Sequence, residues 1–255
     1  MVFKRKEDLM LYLNKLTYIG FGSQAVVYLD KKSGNILKIF HSFLEEDDEY
    51  LYRGTSLDLL RFSHIKNNSF IWPNSVIMVD NEVVGYTRKY INSKSLCEIN
   101  PLNISLDRFS NFITDIQNDI EIISESGIKT YDMMYNVLYG NNGFKVIDHE
   151  EYAFSEKSAD ELIKINNDSL NYEIMYFLVD CYFNEFIDSF KILKDMYNKP
   201  GIDILEFIKL FRNYLSEYVG NDIKRLRDAK VCINKNKNRV KKYERNLFSQ
   251  SKNYY

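Results

Sequence analysis

The sequence predicts an α+β protein in two lobes, an antiparallel sheet with a helix followed by a mainly helical part. Three observations predict it. Short apolar runs rich in β-branched and aromatic residues, separated by turn residues, fill the first ninety positions. Beyond position 95 the apolar residues recur at helical spacing instead. No repeat or low-complexity linker divides the two regions, so the boundary at 91–95 reads as a hinge within one unit of function. The 255 residues, 45% hydrophobic and 27% charged, suffice for a sizeable core.

In chain order, 5–16 reads as a short helix leading into a strand at 16–19, and 25–29 as a second strand. Lys31-Lys32-Ser33-Gly34-Asn35 is a hairpin turn, and 36–40 a third strand. A helical region spans 45–65, weakened by Gly54 in its interior. Trp72-Pro73 marks a loop, after which 75–79, the Asp80-Asn81-Glu82 turn and 83–91 form another hairpin. Leu106, Phe109, Ile113, Ile116, Ile120 and Ile123 define a helix over 106–126. A short hairpin over 137–139 and 144–147 follows, then helices at 172–182, 185–197 and 204–218. The lobes are 1–91 and 92–255.

Bulk charge excludes little: the net of −2 exerts no global pull on nucleic acid or membrane. Residues 221–255 hold eleven Lys and Arg against Asp222, Asp228 and Glu244, a basic tail that is either a solvated face or a contact for an anionic partner. Three widely spaced cysteines without a CxxC pair argue against a zinc site or disulfide framework. No apolar run is long enough to span a bilayer, and 1–16 lacks the uninterrupted core of a signal peptide. These features predict a cytoplasmic protein with no transmembrane segment.

The chemistry concentrates in two blocks. Gly20-Phe21-Gly22-Ser23-Gln24-Ala25-Val26-Val27-Tyr28 is a glycine-rich turn between apolar runs, where missing side chains let backbone approach phosphate oxygens. Val27 suits contact with a purine ring. Lys38 sits between Leu37 and Ile39 in an apolar strand and offers a cation to phosphates. The second block, 131–152, holds Asp132, Asn136 and Asp148. Asp148 ends the apolar run 144–147, where an uncompensated carboxylate is costly and a cation is the natural remedy.

Glycine turn, strand lysine, hinge, Asp132 with Asn136, and Asp148 stand in an order that resembles the protein-kinase-like superfamily. That superfamily includes compact bacterial members and the aminoglycoside and choline kinases. The resemblance implies a two-lobed kinase-like fold, ATP and Mg²⁺ as cofactors, and a protein or small-molecule phosphoacceptor. It implies that Gly20, Gly22, Ser23, Gln24 and Ala25 cover the phosphates, that Lys38 contacts them, and that backbone near Lys89 and Ile91 reads the adenine edge. It assigns Asp132 to the acceptor hydroxyl and Asn136 and Asp148 to the metal.

The chain departs from that pattern in places. The Asp132–Asn136 interval is one residue short, Thr130 and Tyr131 replace the usual His and Arg, and His149-Glu150 replaces Phe-Gly. Glu49 and Asp58 are the candidate helix partners of Lys38. Glu150 and Glu151 read as a solvated face, Glu150 being able to assist a metal; His149 reads as packing, and His41 and His64 carry no signal. The expected activity is an ATP- and Mg²⁺-dependent phosphotransferase acting on a protein hydroxyl. The alternatives are a pseudokinase that binds nucleotide or serves as a scaffold, and a small-molecule kinase.

Overall fold

A computed structural model describes residues 1–22, 24–44, 56–131 and 133–234. The fold is α+β and resolves into two compact units. The first comprises 1–93 with 145–151, and the second 94–144 with the chain from 152 onward. The sequence boundary at 91–95 groups 145–151 with the helical lobe, whereas in the structure this segment packs in the first unit.

The first unit is a six-stranded sheet. Its strands are β1 (Val2–Phe3), β2 (Thr17–Phe21), β3 (Ala25–Asp30), β4 (Asn35–Phe40), β5 (Ser75–Val79) and β6 (Glu82–Lys89), arranged β1-β5-β6-β4-β3-β2. All neighbours are antiparallel except β1, which lies parallel to β5. The β5–β6 hairpin turns through Asp80 and Asn81, both at positive φ. Two-residue hairpin loops need that conformation, and Asp and Asn tolerate it better than other side chains.

Helix α1 (Lys6–Leu13) covers one face of the sheet: Leu9 and Leu13 pack with Leu37, Ile39, Ile77, Val79 and Val84. On the other face lie Ala25, Phe40, Leu59 and Tyr86, with Leu59 carried by α3 (Ser56–Leu60), which follows the one-turn α2 (His41–Leu44). Residues 36–40 are therefore buried on both faces, which explains an apolar run broken only by Lys38 where a half-exposed strand would alternate. Alternation along β4 turns Leu37 and Ile39 toward α1 and leaves Lys38 on the Phe40 and Tyr86 side. Of the helical region expected over 45–65, residues 45–55 lie outside those described.

The second unit is mainly helical. It contains β7 (Lys94–Ser95), α4 (Leu106–Glu125), β8 (Ile128–Lys129), α5 (Met133–Asn136), β9 (Val137–Gly140) and the start of β10 (Gly143–Val146). After these come β11 (Ala153–Phe154), α6 (Ala159–Val179), α7 (Asn184–Asp188), α8 (Lys191–Tyr197), α9 (Ile204–Val219) and α10 (Lys230–Asn234). β7 pairs with β9, and β8 with β11, both antiparallel. The six apolar positions expected on α4 are all buried. Among the described residues no helix is long and apolar enough to cross a membrane.

Two helices differ from expectation. α6 begins at Ala159, well before 172, behind a capping box in which Ser158 and Glu161 satisfy each other's backbone N–H groups. Its first half escaped the periodicity because one of its buried positions is the polar Asn166. The helix expected over 185–197 is two helices. Phe190 leaves helical geometry at φ −125° and ψ 110°, and its ring packs between Phe186 (4.9 Å) and Tyr214 (4.8 Å).

Gly85 sets how closely β6 approaches β4. It lies opposite Ile39, next to a register shift in the β5–β6 ladder. A Cβ built there would stand 2.1 Å from the Lys38 carbonyl oxygen, a backbone atom that cannot step aside. Gly85→Ala is expected to lower stability by about 1–3 kcal/mol, the range for an overpacked interior, measured by urea unfolding. A midpoint equal to wild type would mean the two strands part freely.

Candidate functional site

Lys38 is the centre of the site and is only 6% exposed. Its Nζ forms ion pairs with Asp148 Oδ1 and, at 2.6 Å, with Glu150 Oε1. The Tyr86 hydroxyl donates to the same Asp148 oxygen at 3.1 Å, and the Lys38 ammonium lies 5.6 Å from the Tyr86 ring centroid. Lys38 is register partner to Val27 on one side and Tyr86 on the other, so the three side chains share one face of the sheet.

The strand end carrying the carboxylates is sewn to the loop before β5. Val146 donates to Ser69 O (2.7 Å) and accepts from Ile71 N (2.9 Å), and Lys145 Nζ reaches Asn68 O (2.8 Å). Arg61 Nη2 donates to the Glu150 carbonyl at 3.3 Å. His149 is buried against Trp72, with ring centroids 4.4 Å apart, and Trp72 stacks on Phe70. Asp148 itself adopts φ +69°. A non-glycine residue in that region is strained, and such strain is concentrated at functional positions.

Charges interact strongly here. Burial works against ionisation of Asp148, but the adjacent Lys38 ammonium outweighs it and brings the carboxyl down to about 2. Lys38 shows the same balance from the other side: burial disfavours its charge, and the attraction of Asp148 and Glu150 raises its pKa above the usual lysine value. Glu150 is raised, first by burial and then by repulsion from Asp148, with Lys38 opposing both. Burial and the two carboxylates push the Tyr86 phenol well above its ordinary range. Burial holds His149 down to about 3, so it is neutral at physiological pH.

The structure brings together part of the set expected from sequence. Gly20 pairs with Val27 beyond a bulge in β2, and a Cβ at Gly20 would meet nothing within 4 Å. At Gly22 the nearest atom to such a Cβ is Ala25 O at 3.8 Å. Among the described residues Gly20 thus borders open space, while Gly22 leaves room for no more than an ordinary contact. Gly22 N donates to Ala25 O (2.9 Å), and Gln24 is exposed while Ala25 is buried. Ser23 lies outside the described residues. Lys89 is exposed at the end of β6, Tyr90 N donates to Gly34 O (3.0 Å), and Ile91 is half-buried.

In the second unit Asn136 closes α5, half-buried, immediately before β9. Asp132 lies outside the described residues, but the segment leading to it is tightly held. Asn166 Oδ1 accepts from Thr130 N and Thr130 Oγ1, both at 3.0 Å, while its Nδ2 donates to Ser124 Oγ and Ile128 O, both at 2.9 Å. All the bonding capacity of this fully buried amide is used.

Four residues of consequence were not singled out by sequence. Glu150, expected on a solvated face, is instead buried against Lys38, which corrects that reading. Among the described residues, the carboxylates on Lys38 are those of Asp148 and Glu150; Asp58 is exposed on α3, and Glu49 lies outside the described residues. Tyr86 could be found only from its register with Lys38. Asn166 left one weak signal, a polar residue within a capped helix. His41, which carried none, is 4% exposed and touches the glycine turn.

No protein-family model and no curated protein matches the sequence. Among solved structures, the PknI kinase domain of Mycobacterium tuberculosis is similar at 13% identity and a TM-score of 0.46, over 78% of this chain and 94% of that one. A cysteine-to-alanine variant of the same domain gives 12% identity and a TM-score of 0.48, over 78% and 93%. At TM-scores below 0.5 neither likeness establishes anything about the chemistry of this chain.

Two outcomes are expected. A histidine held near pKa 3 when folded and titrating near 6.5 when unfolded stabilises the fold above pH 6.5, and that stability drains as pH falls toward 3. Asp148 adds a loss lower down, from about pH 4 through its folded value of about 2. His149→Phe should remove up to about 3 kcal/mol of the stability lost between pH 7 and pH 4, read from denaturant midpoints across that range; an unaltered slope would place the acid sensitivity elsewhere. Asn166→Ala orphans the Thr130 amide and Ile128 carbonyl and should cost about 2–4 kcal/mol, whereas a cost under about 0.5 kcal/mol would mean water replaces the amide.

Proposed function

We propose that the chain is an ATP- and Mg²⁺-dependent phosphotransferase with a kinase-like arrangement, acting on a protein hydroxyl. The observation that carries this reading is the direct contact of the buried Lys38 ammonium with Asp148, a residue 110 positions away. Asp148 lies at a strained strand end, on the sheet face that also presents Val27. Phosphoryl transfer needs little covalent work from a protein; it needs positioned cations and an oriented nucleophile.

The residues present fit a magnesium–nucleotide complex. Mg²⁺ keeps waters and phosphate oxygens and takes one or two protein carboxylates. Asp148 has one oxygen engaged by Lys38 and Tyr86, and its side chain is 35% exposed, against 10% for Glu150. When bound, the ion would neutralise charge on the transferred phosphoryl group. Asp148 would hold it, with Asn136 as the second donor. Lys38 would place its ammonium on the phosphates, and the 20–25 turn would cover them. Val27 would lie against the base, and backbone near Lys89 and Ile91 would meet its edge. Asp132 would orient the acceptor hydroxyl and receive its proton.

A second reading is a pseudokinase that senses nucleotide without turnover. It is favoured by the double engagement of Lys38 with two carboxylates and by the short Asp132–Asn136 interval. Thermal unfolding with ATP, with and without Mg²⁺, combined with phosphate release, separates the two. ATP at a hundredfold excess over its Kd should stabilise the chain by about 2.7 kcal/mol. Asp148→Asn should lose the Mg²⁺-dependent part of that shift together with phosphate release. A Mg²⁺-dependent shift without turnover in wild type would select the sensor; no shift with ATP under either condition would sink both readings.

A further inference from the structure

We propose that His41 is a positioning residue that holds the glycine-rich turn in its anion-accepting form. The proposal rests on the nucleotide reading and adds to it a residue that the sequence pattern did not mark. His41 directly follows β4, three positions after Lys38, and its side chain is buried. It grips the turn at two places. Its backbone N–H donates to Gln24 O at 2.9 Å, and its Nε2 lies 2.9 Å from Gly22 O. A carbonyl oxygen can only accept, so Nε2 carries the proton and donates. The exposed Phe21 ring leans over the imidazole at a centroid distance of 4.9 Å, which closes the contact from the β2 side.

The consequence is electrostatic. A turn that covers phosphates must show them N–H groups and keep carbonyl lone pairs away, since C=O and phosphate oxygens repel. His41 engages the carbonyls of Gly22 and Gln24, so that both are directed toward β4. The peptide unit is planar and trans, so the Ala25 N–H points opposite to the Gln24 carbonyl and away from His41. One residue thereby ties the turn to the strand that presents Lys38, and the two phosphate-facing features move as one body. Without the imidazole donor, the Gly22 peptide is free to rotate and offer its oxygen to the ligand.

The test compares His41→Phe, which keeps a ring of similar volume but has no donor, with His41→Gln, which keeps an N–H. Amide hydrogen exchange at Gly22 and Ala25 is measured without nucleotide, with Ile39 and Tyr86 as internal controls for folding. ATP affinity and the KM-to-kcat split are then measured on the same proteins. The Phe variant should exchange faster at the turn alone and bind ATP about 5- to 10-fold more weakly, the worth of one hydrogen bond. That loss should appear in KM with kcat nearly unchanged, and His41→Gln should recover most of it. His41→Met replaces the Phe variant if the latter does not fold.

Unchanged exchange at Gly22 and Ala25 in the donor-free variant overturns the tether, whatever the wild type does with ATP. Wild-type protein that shows the exchange difference but binds no ATP overturns the nucleotide reading and leaves His41 as a structural anchor. A donor-free variant with altered exchange but wild-type ATP affinity overturns the positioning role.

Discussion

An ammonium taken out of water must find anions or give up its charge, and Lys38 imposes that condition on everything near it. The central strand of a sheet buried on both faces leaves this side chain no route to solvent. The compensation comes from Asp148 and Glu150, 110 and 112 positions away, so a segment from the far side of a long insertion must return to the sheet. That is why 145–151 packs with the first unit. The parallel bridge of Val146 to Phe70, the Lys145 contact with Asn68 and the tilted contact of the His149 ring with Trp72 all hold that return in place.

Two carboxylates on one lysine leave an uneven pair. Asp148 and Glu150 repel each other, and burial raises both, yet Asp148 ends well below its usual value while Glu150 ends above. Their surroundings differ too. Asp148 is the more exposed of the two and sits at a left-handed backbone position. Glu150, sunk beside Lys38 and braced through its carbonyl by Arg61, stays with the amine. A glutamate two residues beyond Asp148 thus supplies the second negative charge beside Lys38.

The remaining supports are close approaches and filled donor sets rather than further charges. Gly85 lets β6 come against the Lys38 carbonyl, which seats Tyr86 beside Lys38 and brings its hydroxyl to Asp148. His41 applies the same economy to the glycine turn. In the second unit Asn166 saturates the backbone from Ile128 to Thr130, so the approach to Asp132 is rigid although no charge is involved. Such fully satisfied buried polar groups specify one arrangement, since each alternative orphans a donor or an acceptor.

The sequence by itself determined the elements whose signals are local. Hairpin turns at 31–35 and 80–82, the apolar strand 36–40 and the apolar stripe of α4 were legible, because turn chemistry and periodicity act within a few residues. Lys38 and Asp148 were each marked by a charged residue in an apolar run, and the structure places them in contact. Only the tertiary structure decided what Lys38 touches, that Glu150 is buried, that Tyr86 reaches Asp148 and His41 the glycine turn, and that α6 starts at Ala159 over a buried Asn166. Those facts depend on strand register and on contacts between residues tens to a hundred positions apart. A one-dimensional pattern carries no record of which strand lies beside which, so it can name a buried cation but not the anions that make its burial tolerable.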